Sequence, residues 1–162
     1  MHKIRPALID DISSIFELMR HSVCGLCKEH YSESKLESYL SQFPGEKAFN
    51  LIMKDHICIV ATLNTTTEAN KLVGFARFDP AEQTIAGLFV LPGFTRQGVG
   101  SSLLSYIEDV ARSLSKEMLC VKAPLNSIPF YQTHEYEQQD NVQLNCDGQT
   151  SIECVNFYKN LM

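Results

Sequence analysis

Gly98 and Gly100, set in Arg96-Gln97-Gly98-Val99-Gly100-Ser101, are the residues whose type and spacing most directly imply chemistry. Two glycines at a spacing of two let the backbone turn tightly and gather several N–H groups toward one point. A helix beginning there would add its unpaired first amides and its positive dipole end. The combination is an anion site suited to phosphate. A second candidate, Cys24-x-x-Cys27, has the spacing of half a zinc site or a redox pair. No second C-x-x-C or H-x-x-x-H follows it, so both thiols are read as ordinary cysteines.

The elements that would position the glycine loop are legible around it. Thr84 to Leu91 is short, apolar and rich in Ile, Leu, Phe and Val, as a buried strand requires, and Pro92-Gly93 ends it. From Val99 onward Val99, Leu103, Leu104, Ile107, Val110, Ala111 and Leu114 recur at helical spacing, with Ser102, Glu108, Asp109, Arg112 and Ser113 opposite. The pattern G-x-x-x-x-G-K-[ST] of a P-loop is not met, and Leu103 stands where a dinucleotide fingerprint needs its third glycine.

Composition bounds the rest. A chain of 162 residues with 44% hydrophobic residues fits one globular domain over residues 1–162. The start, MHKIRPALIDDISS, lacks the apolar core of a secretion signal, and no run approaches the roughly 18 apolar residues of a membrane span. A cytoplasmic protein without a membrane partner is expected. In that compartment the six cysteines are read as reduced thiols. The net charge of −5 and the lack of a basic run argue against nucleic acid and mildly favour a cationic acceptor by long-range steering.

Along the chain, residues 2–8 read as a strand. A helix capped by Asp10 or Asp11 follows, with Ile12, Ile15, Phe16 and Met19 on one face. Residues 22–31 read as an irregular loop, and Ser32 caps a second helix to Leu40 that ends before Pro44-Gly45. Residues 56–63 and 72–78 are antiparallel strands joined by a polar loop. Residues 118–123 form the strand after the long helix, so a right-handed parallel crossover is expected. A short helix opened at Asn126 and a hairpin of residues 142–146 and 150–158, turning at Asp147-Gly148, complete the chain.

Two of these segments carry a resemblance. LFVLPGFTRQGVGSSLL resembles motif A of the GCN5-related N-acetyltransferases, [RQ]-x-x-G-x-[GA] after V-x-P, with Thr95 at the [RQ] position and Arg96 one place late. Asn126, Pro129, Phe130 and Tyr131, matching as N-x-x-P-F-Y, resemble the family's N-x-x-[AP]-x-x-F-Y segment, whose closing Gly-Phe is replaced here by Glu135-Tyr136. The opening I-R-x-A-x-x-x-D is similar as well, so the likeness spans essentially the whole chain.

The resemblance implies an α/β fold: a mostly antiparallel sheet of six to seven strands with a parallel pair of fourth and fifth strands, flanked by about four helices. It implies acetyl-CoA as co-substrate and an amine as acceptor. The loop from Arg96 through Gln97, Gly98, Val99 and Gly100 to Ser101 would hold the pyrophosphate. Leu88, Phe89 and Val90 would pair with pantetheine where the two strands splay after a bulge near the end of the fourth, and Asn126 would contact pantetheine or its loop. Tyr131 would be the general acid, since a phenol can protonate a departing thiolate. The base is left among Asp79, Glu82, His134, His21, Glu29, His30 and Tyr31; no metal spacing is present, and homodimerisation stays open. A non-catalytic acyl-CoA sensor is the competing expectation, because it would keep the glycines without needing Tyr131.

Overall fold

The computed structural model describes residues 1–162. Seven strands form one sheet in the order β1-β2-β3-β4-β5-β7-β6. They are β1 (Lys3–Pro6), β2 (Ile57–Leu63), β3 (Lys71–Asp79), β4 (Thr84–Val90), β5 (Met118–Pro124), β6 (Glu137–Asn145) and β7 (Ser151–Asn160). All neighbours are antiparallel except β4 and β5. Five helices flank it: α1 (Ile12–Leu26), α2 (Glu33–Ser41), α3 (Glu46–Asp55), α4 (Val99–Ser113) and α5 (Ile128–Thr133).

Strand alternation divides the core between the two faces. Ile59 and Ala61 of β2 pack with Leu103, Leu104 and Ile107 of α4, while Cys58 and Val60 pack with Ile15 and Met19 of α1 and Phe49 of α3. Gly74 lets α4 lie this close, since a methyl group there would meet Val99 at 2.7 Å and Leu103 at 2.9 Å. The start of α1 is fixed by Asp11, whose carboxylate accepts from both Arg5 nitrogens at 2.7 and 3.0 Å and from the Leu8 amide at 2.8 Å. The Arg5 hydrogen bonds hold that carboxyl below its ordinary range. The Arg and Asp of the opening motif are thus one bidentate pair tying β1 to the first helical turn.

Four boundaries differ from the sequence reading. The first helix continues through Ser22, Val23 and Leu26, so residues 22–26 are helical, not loop. The stretch left without an element, Glu46–Asp55, is α3, with Phe49 buried beneath it. Strand β6 begins at Glu137, five residues before Val142, as an exposed edge whose composition hides its pairing with β7. Asn126 does not open α5 but lies in a 3₁₀ turn, Leu125–Ser127, and Ser127 is the residue before the helix.

The turn after α5 shows what replaces the glycine that ends the family motif. The Tyr136 amide donates to the Tyr131 carbonyl at 3.0 Å and the Glu135 amide to the Gln132 carbonyl at 3.1 Å, the paired bonds of a Schellman cap. Glu135 occupies the left-handed position at φ +66°. A side chain is strained there, so Glu135→Gly is expected to stabilise the fold by about 1 kcal/mol. Thermal unfolding checks it; an unchanged or lower Tm would show that the turn is not strained.

Candidate active site

The parallel pair defines the site. β4 and β5 are in register only at Thr84–Cys120 and Ile85–Val121, and beyond that they part. Against β3, Arg77 faces Gly87 and Phe78 faces Ile85, which makes Ala86 a bulged residue. The irregularity therefore sits in the first half of β4, not near its end. The Leu91 amide donates to Val73 of β3 at 2.9 Å, and alternation then turns the main chain of Phe89 toward β3 as well. The main-chain groups of Leu88 and Val90 are left facing the gap.

A cleft of about 620 Å³ fills this gap. Its floor is Leu88, Phe89 and Val90, and its loop end is Thr95, Arg96, Gly98, Gly100 and Ser101. The amides of Arg96, Gln97 and Gly98 donate to no carbonyl, and the first turn of α4 has no preceding turn to bond. Arg96 at φ +62° and Gly98 at φ +83° are left-handed, the kind of backbone turn from which anion-binding concavities are built. Gly100 packs against a ring: a methyl group there would meet Phe130 at 3.1 Å. Val99 points instead into the core, 3% exposed, and the Gln97 side chain donates back to the Gly93 carbonyl at 3.3 Å. Thr95, in the place of Arg or Gln, donates to the Pro92 carbonyl.

The opposite wall is α5 and the turn before it. Asn126 lines the cleft and accepts from the Cys27 thiol at 3.2 Å, joining α5's approach to the end of α1. Burial pushes the Cys27 thiol up to about 11, so it keeps the proton it donates. Tyr131 is 3% exposed, reaches the cleft between Phe130, Tyr136 and Phe157, and its hydroxyl has no partner within the protein. Burial pushes its pKa well above the ordinary phenol value, with no charged group contributing. The hydroxyl is therefore protonated throughout the neutral range.

His134 bridges the two walls. Its Nδ1–H donates to the Phe130 carbonyl at 2.7 Å, which leaves Nε2 to accept from the Ser101 hydroxyl at 2.9 Å. The segment is anchored from behind by Lys159, whose Nζ donates to the His134 carbonyl and to the buried Glu108, where the Tyr136 hydroxyl also donates.

The remaining wall comes from the extension of α1 and from α2: Ser22, Val23, Leu26, Cys27 and Tyr39. Sequence reading missed Ser22, Val23, Leu26 and Tyr39, although Ile15, Met19, Val23 and Leu26 continue one helical stripe past the point where the helix was ended. Of the base candidates, His134 alone lines the cleft. Asp79 instead faces His56 at 3.4 Å, and Tyr31 is buried, donating to the Glu153 carbonyl and accepting from the Leu125 amide.

The match to known proteins can be read on this geometry. The model of the acetyltransferase (GNAT) family matches residues 24–136, more than half of the chain. The chain belongs to that family. GNAT proteins of known structure repeat the whole fold: a GCN5-related N-acetyltransferase of Rhodopseudomonas palustris is 24% identical, with a TM-score of 0.87 over 98% of this chain and 94% of that one. The PaiA N-acetyltransferase of Thermoplasma acidophilum, solved with coenzyme A, is 17% identical, with a TM-score of 0.78 over 99% of each chain. A phosphinothricin acetyltransferase of Sinorhizobium meliloti, solved with acetyl-CoA, is 17% identical with a TM-score of 0.69 over 98% of this chain and 88% of that one. No curated protein sequence gives a significant match. The GNAT family is one of acyltransferases with acetyl-CoA as co-substrate. No helix of this member is long and apolar enough to cross a membrane.

Proposed function

We propose that the protein transfers an acetyl group from acetyl-CoA directly to an amine, with Tyr131 as the general acid. The observation that carries this reading is the meeting, in one cleft, of a free amide nest and an unpartnered, protonated phenol. The residues fit the co-substrate. The amides from Arg96 to Ser101 suit a pyrophosphate, and the free main-chain edge at Leu88 and Val90 suits an amide-bearing arm.

In the reaction the amine nitrogen forms a bond to the thioester carbonyl carbon and the carbon–sulfur bond breaks. The Tyr131 hydroxyl gives its proton to the departing thiolate, and the amine releases one proton to solvent, from which the phenol is recharged. A thiol is more acidic than a phenol by roughly 1.5 pKa units. Proton donation by Tyr131 is therefore coupled to cleavage, while charge is still building on sulfur. Asn126, held by Cys27, keeps the turn before α5 in place and so fixes where Tyr131 stands.

Free thiol release from acetyl-CoA across a panel of amines, followed by mass analysis of the acceptor, tests the reading. Acetylated amine at a rate above hydrolysis is expected. Binding of coenzyme A without transfer to any amine would favour a sensor instead.

A further inference from the structure

We infer that the acceptor is an amine largely uncharged at neutral pH and carried on an aromatic or apolar body; the inference rests on the acetyl-transfer reading above. It starts from the composition of the acceptor wall. Val23, Leu26, Tyr39 and Phe89 are apolar or aromatic, and Ser22 supplies a hydroxyl that makes no hydrogen bond within the protein. Among the 21 residues lining the cleft there is no Asp or Glu, and Arg96, at the phosphate end, is the only Lys or Arg. An ammonium entering this cleft meets no counter-charge and a cation of its own sign.

The carboxylates on nearby elements, Glu17, Glu29, Glu33, Glu37, Asp147 and Glu153, all lie outside the lining. Glu153 accepts from Asn141 at 3.1 Å, on the β6 side of the sheet, and Asp147 accepts from Ser38 at 3.2 Å and from the Gln149 and Thr150 amides at the hairpin tip. Glu17 opens on a separate recess beside Phe43 and Pro44. The surroundings of Tyr39 agree: burial is the main cause that raises its pKa, and no carboxylate contributes.

The rings of this wall are packed on one another. Tyr39 meets Phe43 edge to face at 5.3 Å and 72°, Phe43 meets Phe89 at 5.8 Å and 75°, and Phe89 stacks on Phe75 at 6.4 Å and 10°. Two of these contacts set an edge against a face and one stacks face on face, so each ring is packed against another of the set. The net charge of −5 lies on the outside and steers a ligand only as far as the mouth.

Protonation then decides among amines. At pH 7 only about one alkylamine in a few thousand is neutral, against about one in ten for an α-amine of pKa near 8. With no carboxylate in the cleft to take the extra proton, and with the Nε2 of His134 already taken by the Ser101 hydroxyl, that difference passes into kcat/KM.

The test compares acceptors with one aromatic body and different basicity, phenylalanine amide and 2-phenylethylamine, together with spermidine, in the acetyl-CoA thiol-release assay. Phenylalanine amide is expected to exceed 2-phenylethylamine in kcat/KM by about 10- to 100-fold near pH 7, the gap closing as pH approaches the alkylamine pKa of about 10.4. Ser22→Asp, which places a carboxylate in the wall, is expected to narrow the gap near pH 7. Equal or better use of 2-phenylethylamine or spermidine at pH 7 overturns the inference while leaving acetyl transfer intact. So does a pH-independent ratio. Transfer to none of the three, with coenzyme A bound normally in calorimetry, would overturn acetyl transfer itself and this inference with it.

Discussion

Tyr131→Phe is expected to lower kcat by about 10²- to 10⁴-fold while leaving coenzyme A affinity nearly unchanged, the signature of a lost general acid. The substitution removes one oxygen and keeps the ring that packs on Phe130, Tyr136 and Phe157. Because the hydroxyl bonds to nothing in the protein, its removal leaves no stranded partner, and the fold should hold. Burial without a neighbouring charge also sets the pH behaviour. The phenol's folded value lies above its ordinary one, so Tyr131 stays protonated as pH rises through neutrality and imposes no fall in rate below about pH 10. The loss in the variant should shrink with a donor whose thiol leaves readily, because such a leaving group needs the proton less. Single-turnover measurements isolate the chemical step. Wild-type rates in Tyr131→Phe under those conditions would remove the residue from the reaction and leave solvent to protonate the thiolate.

The second large effect lies in the loop. Gly98→Asp is expected to weaken coenzyme A binding by at least about 100-fold, close to 3 kcal/mol, through two changes at one position. A Cβ at φ +83° is strained, and a carboxylate is placed among amides arranged to receive an anion. Gly100→Asp acts differently, since its Cβ would press on the Phe130 ring at 3.1 Å and disturb the wall that carries Tyr131. Gly93→Asp is the control: nothing lies within 4 Å of a Cβ there, and the added charge sits just outside the cleft. Calorimetry with coenzyme A, alongside circular dichroism for folding, separates the three. Normal affinity in a folded Gly98→Asp protein would sink the anion-nest assignment.

The sequence by itself determined the parts whose signal is local. The periodicity of α4, the apolar run of β4, the Pro92-Gly93 break and the glycine loop lie in one continuous stretch, and short-range patterning specifies each. The parallel β4–β5 pair followed from chain logic alone, because a strand that returns after a full helix can rejoin its sheet only by a crossover. The pattern around Tyr131 was readable too, as were the serine cap of α2 and the Asp-Gly hairpin. The Glu135 departure proved local as well: the same Schellman bonds form, at the expense of a left-handed side chain.

Tertiary structure alone decided which surfaces face each other. The bulge at Ala86 depends on a register between β3 and β4 that no single strand encodes. Ser22 enters the cleft because α1 runs past residue 21 and Gly25 lets it press against Pro92, which a methyl group would meet at 2.6 Å, and Tyr39 enters it from α2. Asn126 reads as a helix cap in isolation, yet the approach of Cys27 from 99 residues away gives it a different partner. The same holds for charge. A formal sum of −5 suggested a cationic acceptor, while the fold places the acidic residues outside the cleft and leaves Arg96 as its only Lys or Arg. Net charge is additive along a chain; the field inside a cleft is set by which few side chains the packing turns inward.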